Sequence, residues 1–127
     1  MAIASTLRSN LWNKIVSGEK TIELRKNFPK DFCFKYDRVY VILKGTTKIA
    51  GFFYVNSFED FYAESINDFD PIISKISVPK KWIINYVGYS SLVYLWHIRK
   101  VIPYVNFLDR CYIWNKKTNP QSFFYIR

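Results

Sequence analysis

One short stretch concentrates the residue types that could do chemistry. Ser17-Gly18-Glu19-Lys20-Thr21-Ile22-Glu23-Leu24-Arg25 contains the spacing G-x-K-x-x-E-x-R. It joins a flexible turn, an ammonium, a carboxylate and a guanidinium within eight residues. In an extended segment Glu23 and Arg25 project from one face, about 7 Å apart at the backbone. Arg25 supplies a planar donor fork suited to phosphate or a base edge. Lys20 is a mobile point charge at the strand entrance. Glu23 can orient either cation, accept from an exocyclic amino group, or act as a base. The spacing therefore predicts a concave site lined by Lys20, Glu23 and Arg25, with Arg25 paired to Glu23. Ile22 and Leu24 point the other way, into a core. A solvated cleft spares the two charges the cost of desolvation. Strict alternation puts Lys20 on the Ile22 face. It joins the site only if the backbone turns between Gly18 and Thr21, which a left-handed Gly18 permits.

The elements that must position this stretch are short. Ala2–Leu7 reads as a first strand. Ser9 is the expected N-cap of a helix over 10–17, with Leu11, Trp12, Ile15 and Val16 as its apolar stripe and Gly18 as its left-handed stop. A strand over 21–25 follows, then a polar loop over 26–37 carrying Phe28, Phe32 and Phe34. Strands are expected at 38–43 and 49–58, joined by a turn at Lys44-Gly45-Thr46-Thr47. Gly51 marks a bulge or a close approach. Residues 59–77 read as short helices broken at Pro71. Pro79 opens another helix with Trp82, Ile83, Tyr86 and Val87 on one side, and Gly88 ends it. A long strand over 90–102 is expected to stop at Pro103, and a last one covers 122–126. About six strands with two or three short helices make an α+β chain, most simply closed as a small mixed or antiparallel barrel.

This arrangement resembles a known family. Gly18, Lys20, Glu23 and Arg25 match the signature of ASCH domains, whose fold is the PUA-like β-barrel. Leu7-Arg8 and the helix through Trp12, Lys14 and Ile15 are similar to that family's opening strand and helix. Asp37-Arg38-Val39-Tyr40 and Ile49-Ala50-Gly51-Phe52-Phe53 resemble its next two strands. Pro120-Gln121-Ser122-Phe123-Phe124-Tyr125 resembles the closing strand of short bacterial and phage members. The resemblance implies one PUA-like domain over 1–127, with a motif-lined cleft for RNA, DNA or a nucleotide. It places Arg8, Lys44 and Tyr125 beside the motif. Some ASCH proteins are ribonucleases, so weak RNA hydrolysis is a further expectation. Others are amidohydrolases that deacylate N4-acylated cytidine with a Lys, a Thr and a downstream Glu. Here Lys20 matches the Lys, Glu23 stands at the position of the Thr, and Glu59 and Glu64 are the only candidates for the Glu. In either enzyme reading Lys20 and Glu23 are the catalytic pair, with the Lys20 pKa lowered by burial and by Arg25.

Composition agrees with an anionic partner. The 127 residues carry 19 Lys and Arg against 10 Asp and Glu, a formal net charge of +9. The excess lies in residues 1–40 and 79–127, and the middle segment is net acidic. A fold that joins the two ends makes one positive face. Arg99, Lys116 and Lys117 are candidate contacts to a nucleic-acid backbone. Tyr112 and Trp114 stand beside the latter two as stacking rings, whereas Tyr94 and Trp96 lie in a run apolar on both faces and belong to a core. An acidic protein is an alternative partner, and a monomer or homodimer is expected. Hydrophobic residues make up 50% and aromatic residues 20% of the chain, which excludes intrinsic disorder. No apolar run is long enough for a membrane span, and no secretion signal is visible at the N-terminus, so a cytoplasmic location is expected. Cys33 and Cys111 read as reduced, buried thiols, and the lone His97 as a structural residue. No metal or cofactor is called for.

Overall fold

The structure is a computed structural model that describes residues 2–88, 92–114, 119 and 122–126. Its strands are β1 (Ala2–Leu7), β2 (Ile22–Arg25), β3 (Val39–Leu43), β4 (Lys48–Tyr62), β5 (Leu92–Asp109) and β6 (Phe123–Ile126). Its helices are α1 (Ser9–Ser17), α2 (Ile73–Ile76) and α3 (Lys80–Val87), with single 3-10 turns at Ile66–Phe69 and Arg110–Tyr112. The strands form one mixed sheet in the order β2-β5-β4-β3-β1-β6. The β1–β3 pair is parallel and the other pairs are antiparallel.

The α+β class and the strand number agree with the sequence reading, but the barrel does not close. Among the described residues β2 and β6 are the two sheet edges, and no ladder joins them. Side chains span the gap instead. Arg25 on β2 donates from Nη2 to the Thr6 carbonyl on β1 at 3.1 Å and from Nη1 to the Ser122 carbonyl at 3.5 Å. The Ser122 hydroxyl reaches Asn27 Oδ1 at 3.0 Å, just beyond β2. The sheet is thus curled, with a polar seam where a closed barrel has hydrogen-bonded backbone.

Curling comes from the long β4–β5 pair, whose register shifts at Ile49/Gly51, Phe53/Tyr54 and Val55/Ser57. The first shift sets Ala50 against residues 104–107, and the other two leave Lys100 and Asn56 as single extra residues; such irregularities bend the ribbon and increase its twist. Both strands outrun the sequence reading. β4 extends to Tyr62 because residues 59–62 find partners in Leu92–Leu95, and the short helices begin only after it. Pro103 does not end β5, because it stands opposite Gly51. A Cβ on Gly51 would lie 2.3 Å from the Ile102 carbonyl oxygen and 2.9 Å from both Pro103 Cα and Trp12 Cζ2. The missing side chain lets the strands and α1 meet there.

Local signals explain the ends of α1. Gly18 adopts φ 84°, ψ 0°, and its N–H bonds the Ile15 carbonyl. The N-cap is Arg8 rather than Ser9, and no side chain caps it. Pro79 likewise is the N-cap of α3, and Gly88 its C-cap. One core, with Ile3, Trp12, Val41, Phe53 and Trp96, fills the inside of the curl. A second, with Leu11, Ile22, Leu24, Ile83 and Leu95, packs β2 against α3 and the segment before it. No helix of the described residues is long and apolar enough to cross a membrane.

Candidate functional site

Within β2, Ile22 and Leu24 enter the second core while Glu23 and Arg25 turn the other way, as alternation requires. Yet the solvation expected of a cleft lined by these residues is not found. Glu23 is 5% exposed and Arg25 8%, and Lys20 is 1% exposed. The three charges are desolvated and pair with one another. Arg25 Nη2 donates to Glu23 Oε2 at 3.1 Å, and Lys20 Nζ lies 3.5 Å from Glu23 Oε1. Burial of this kind holds only when every polar atom has a partner. Lys20 Nζ also donates to the carbonyls of Ile22 at 2.8 Å and Ile76 at 2.7 Å. The guanidinium of Arg25 adds the Thr6 and Ser122 carbonyls and lies 5.6 Å from the Trp96 ring centre.

Lys20 reaches this cluster by the turn that Gly18 allows. The backbone N–H of Lys20 bonds the Lys14 carbonyl, and that of Thr21 bonds the Lys75 carbonyl, which anchors the chain just before β2. Burial lowers the Lys20 pKa, and Arg25 and Lys14 add to this against the opposing pull of Glu23. For Glu23, burial pushes upward, but Lys20 and Arg25 outweigh it and hold the carboxyl below its ordinary value. The carboxylate is therefore ionised and weakly basic.

Glu23 and Arg25 form part of the wall of a cleft of about 1000 Å³. Arg8 at the start of α1, Lys26 and Asn27 after β2, Lys44 to Thr47 in the β3–β4 turn, and Arg110 after β5 complete its polar lining. Trp82 and Tyr86 of α3 close one side. Their rings are stacked, with centres 5.0 Å apart and planes 12° apart, and Lys26 Nζ lies 5.1 Å from the Tyr86 ring centre. Burial raises the Tyr86 pKa, so its phenol is a neutral donor at ordinary pH. Five cations (Arg8, Arg25, Lys26, Lys44 and Arg110) line the cleft against one carboxylate, Glu23. Among the described residues, Arg8 and Lys44 make no ion pair.

The structure thus gathers Arg8, Glu23, Arg25 and Lys44 at one cleft and sets Lys20 behind its wall. Tyr125 is not in the lining. On β6 the alternation sends Phe123 and Tyr125 toward the inner core, and the Tyr125 hydroxyl accepts from the Asp31 N–H at 3.4 Å. Arg99 lies away from the cleft as well, donating to the Phe34 carbonyl at 2.9 Å. Lys116 and Lys117 lie outside the described residues. Of the two candidate downstream acids, Glu59 pairs with His97 Nε2 at 2.7 Å and Glu64 is exposed, both remote from the cleft lining. Cys33 and Cys111 are exposed rather than buried, because both fall in polar turns outside the strands. Trp96 is fully buried, as expected; Tyr112 is exposed, while Trp114 packs on Phe124 with ring centres 4.2 Å apart. Among the described residues no three His, Cys, Asp or Glu side chains gather to hold a metal ion.

Sequence reasoning missed Trp82, Tyr86, Lys26 and Arg110 as cleft residues. The pair at i, i+4 on α3 was the available signal, but the same spacing suits a core stripe, and its neighbours Ile83 and Val87 are core.

No family model matches the sequence, and no curated protein matches it. Solved structures do. A crystal structure of ASCH from Zymomonas mobilis superposes with a TM-score of 0.82 at 18% identity, covering 99% of this chain and 87% of that one. A serine-to-alanine mutant of the same protein gives 0.83 at 17% identity, covering 99% and 88%. A tyrosine-to-phenylalanine mutant gives 0.81 at 18%, covering 99% and 90%. At this identity the likeness speaks for the fold, and it spans nearly the whole chain: the fold is that of an ASCH domain, PUA-like and α+β.

Proposed function

We propose that the cleft binds single-stranded nucleic acid, RNA foremost, or a nucleotide taken from it. The observation that carries this is the pairing of two walls. One presents Arg8 and Lys44 with the Thr46 and Thr47 turn, a surface suited to phosphates, and Arg110 is buried behind them, donating to Asn119 Oδ1. The other presents the stacked Trp82 and Tyr86 rings, a surface suited to base faces. Arg25, held by Glu23, is a fixed fork between them. The volume of about 1000 Å³ is at the upper end for small-molecule sites, room for more than a single base.

Binding rather than turnover is the reading the chemistry favours. A general base needs a free lone pair facing its substrate. Lys20 Nζ is occupied by two carbonyls and Glu23, and it is not part of the cleft lining. Glu23, the only carboxylate among the described cleft residues, is held ionised by two cations and is a poor proton acceptor. This weighs against deacylation of a modified cytidine and against RNA hydrolysis alike.

Fluorescence anisotropy with a labelled oligouridylate tests the proposal. Affinity should fall with salt, with a log–log slope near −0.7 for each phosphate contact, hence about −2 for three contacts. A flat salt response, or no binding at low salt, contradicts it.

A further inference from the structure

A second group of cations lies on the opposite, outer face of the sheet, and none of its members lines the cleft. Arg99 and Lys100 are consecutive on β5, so regular pleating would send them to opposite faces. Instead Arg99 Cζ lies 4.8 Å and Lys100 Nζ 5.7 Å from the centre of one ring, Tyr54. The ladder explains how. Phe53 pairs with Val101 and Tyr54 with Arg99, so Lys100 is the extra residue of a bulge. Its φ is 44°, a left-handed conformation that a lysine adopts at a cost in strain. Bulges of this type re-aim side chains, and backbone strain of this type clusters at ligand sites.

A third cation arrives from the residue before β3. Arg38 is exposed, lies 4.5 Å from the Phe52 ring centre, and its charged form is favoured by side-chain hydrogen bonding to Tyr40 and Tyr54. Tyr40, Tyr54 and Tyr104 pack around Phe52 at 5.5, 5.8 and 6.0 Å between ring centres, leaving half-exposed phenol rings beside the cations. Among the described residues, no carboxylate pairs with Arg38, Arg99 or Lys100. Like charges held this close, two over the Tyr54 ring and one over the adjacent Phe52 ring, repel each other until an anion joins them.

We propose that Arg38, Arg99 and Lys100, with the Tyr40, Tyr54 and Tyr104 rings, form a second site, which takes a phosphodiester of a single-stranded nucleic acid and stacks its bases. The reading of the cleft supplies the ligand class; the site itself stands on the bulge and the cations. The two faces together would let one strand wrap the sheet or let two strands bind.

The test compares three proteins on a labelled oligouridylate long enough to reach both faces, and on uridine monophosphate, which can fill the cleft alone. Arg38→Gln/Lys100→Gly removes two outer cations. Glycine suits the left-handed position, so this variant should keep or raise its melting temperature. Its affinity for the oligomer should fall about tenfold, and its salt slope should lose about 1.4, two phosphate contacts at 0.7 each. Its affinity for the monophosphate should not change. Arg8→Ala/Lys44→Ala, at the cleft, should weaken both ligands. Unchanged oligomer affinity and slope in the outer-face variant would overturn the second site and leave the cleft reading intact. If neither ligand binds the wild-type protein, both readings fall. Arg99→Gln serves as a second outer-face variant should the double variant melt early, with the same outcomes at half the slope change. Titration with inorganic phosphate separates the two sources of the anion: if phosphate displaces nothing but shifts Arg38 and Arg99 resonances, and the oligomer does not shift them, the site is for free phosphate and the phosphodiester proposal fails.

Discussion

Two clusters of charge sit on opposite sides of the same curled sheet, and they are built on opposite rules. The inner one places a carboxylate between two cations and buries all three. The outer one places three cations over two adjacent rings, Tyr54 and Phe52, with no carboxylate paired to them among the described residues, and leaves two of them exposed. Inside, the charges satisfy each other, so their role is to hold β2 against β1 and the residues before β6. Outside, rings, phenols and one carbonyl hold the cations, but among the described residues no carboxylate neutralises them, so their charge is available to a ligand. The cleft lies between the extremes: it borrows Arg25 from the inner cluster as a fixed donor and adds Arg8 and Lys44, which make no ion pair among the described residues.

The largest effect separating the clusters should come from Glu23→Gln. It leaves two buried cations without their anion, and breaking a buried pair of this kind costs about 3–5 kcal/mol. Urea denaturation should show the loss. A change below about 1 kcal/mol would mean that the cluster does not hold the sheet edges together. By contrast, Arg38→Gln on the outer face should move stability by no more than about 0.5 kcal/mol.

Next in size is a change in binding without a change in fold. Trp82→Ala removes one ring of the α3 stack and should cost about 1–3 kcal/mol of oligonucleotide affinity, the worth of one stacked base. Equilibrium binding by anisotropy measures it. Full affinity in the variant would reduce Trp82 and Tyr86 to helix packing.

Acid titration gives a smaller, signed effect. The Glu23 pKa is lower in the folded protein than in the unfolded chain, where a glutamate titrates near 4.3. Its contribution to stability is therefore complete above about pH 4.3 and is lost as pH falls through the lower folded value. Wild-type and Glu23→Gln stability curves should approach each other in that acid window and run parallel above it. Curves that stay parallel down through it would place the carboxylate outside the cluster.

Much of the inner cluster is legible in the sequence because it is local. Glu23 and Arg25 share a face by strand parity, and Gly18 is the only residue placed to turn Lys20 back toward them. What is not legible depends on distant partners. Glu23 and Arg25 look solvated until β1 and Ser122 are known to lie across from them. Pro103 looks like a strand breaker until Gly51 stands opposite. Trp82 and Tyr86 look like a core stripe until α3 is set beside β2 and the cleft. Tyr125 looks like a cleft residue until β6 is paired in register with β1, which sends that side chain inward. The bulge at Lys100 has no local signature at all: it is a property of how β5 registers on β4.

The central claim is that nucleic acid enters the cleft between the basic wall and the α3 rings. Photo-crosslinking with a 4-thiouridine oligonucleotide, followed by mass spectrometry of the adducted peptides, tests it most directly. The account predicts adducts on Trp82 or Tyr86, lost when Arg8 and Lys44 are both replaced by alanine. Adducts that avoid α3 and are indifferent to that double replacement would contradict it.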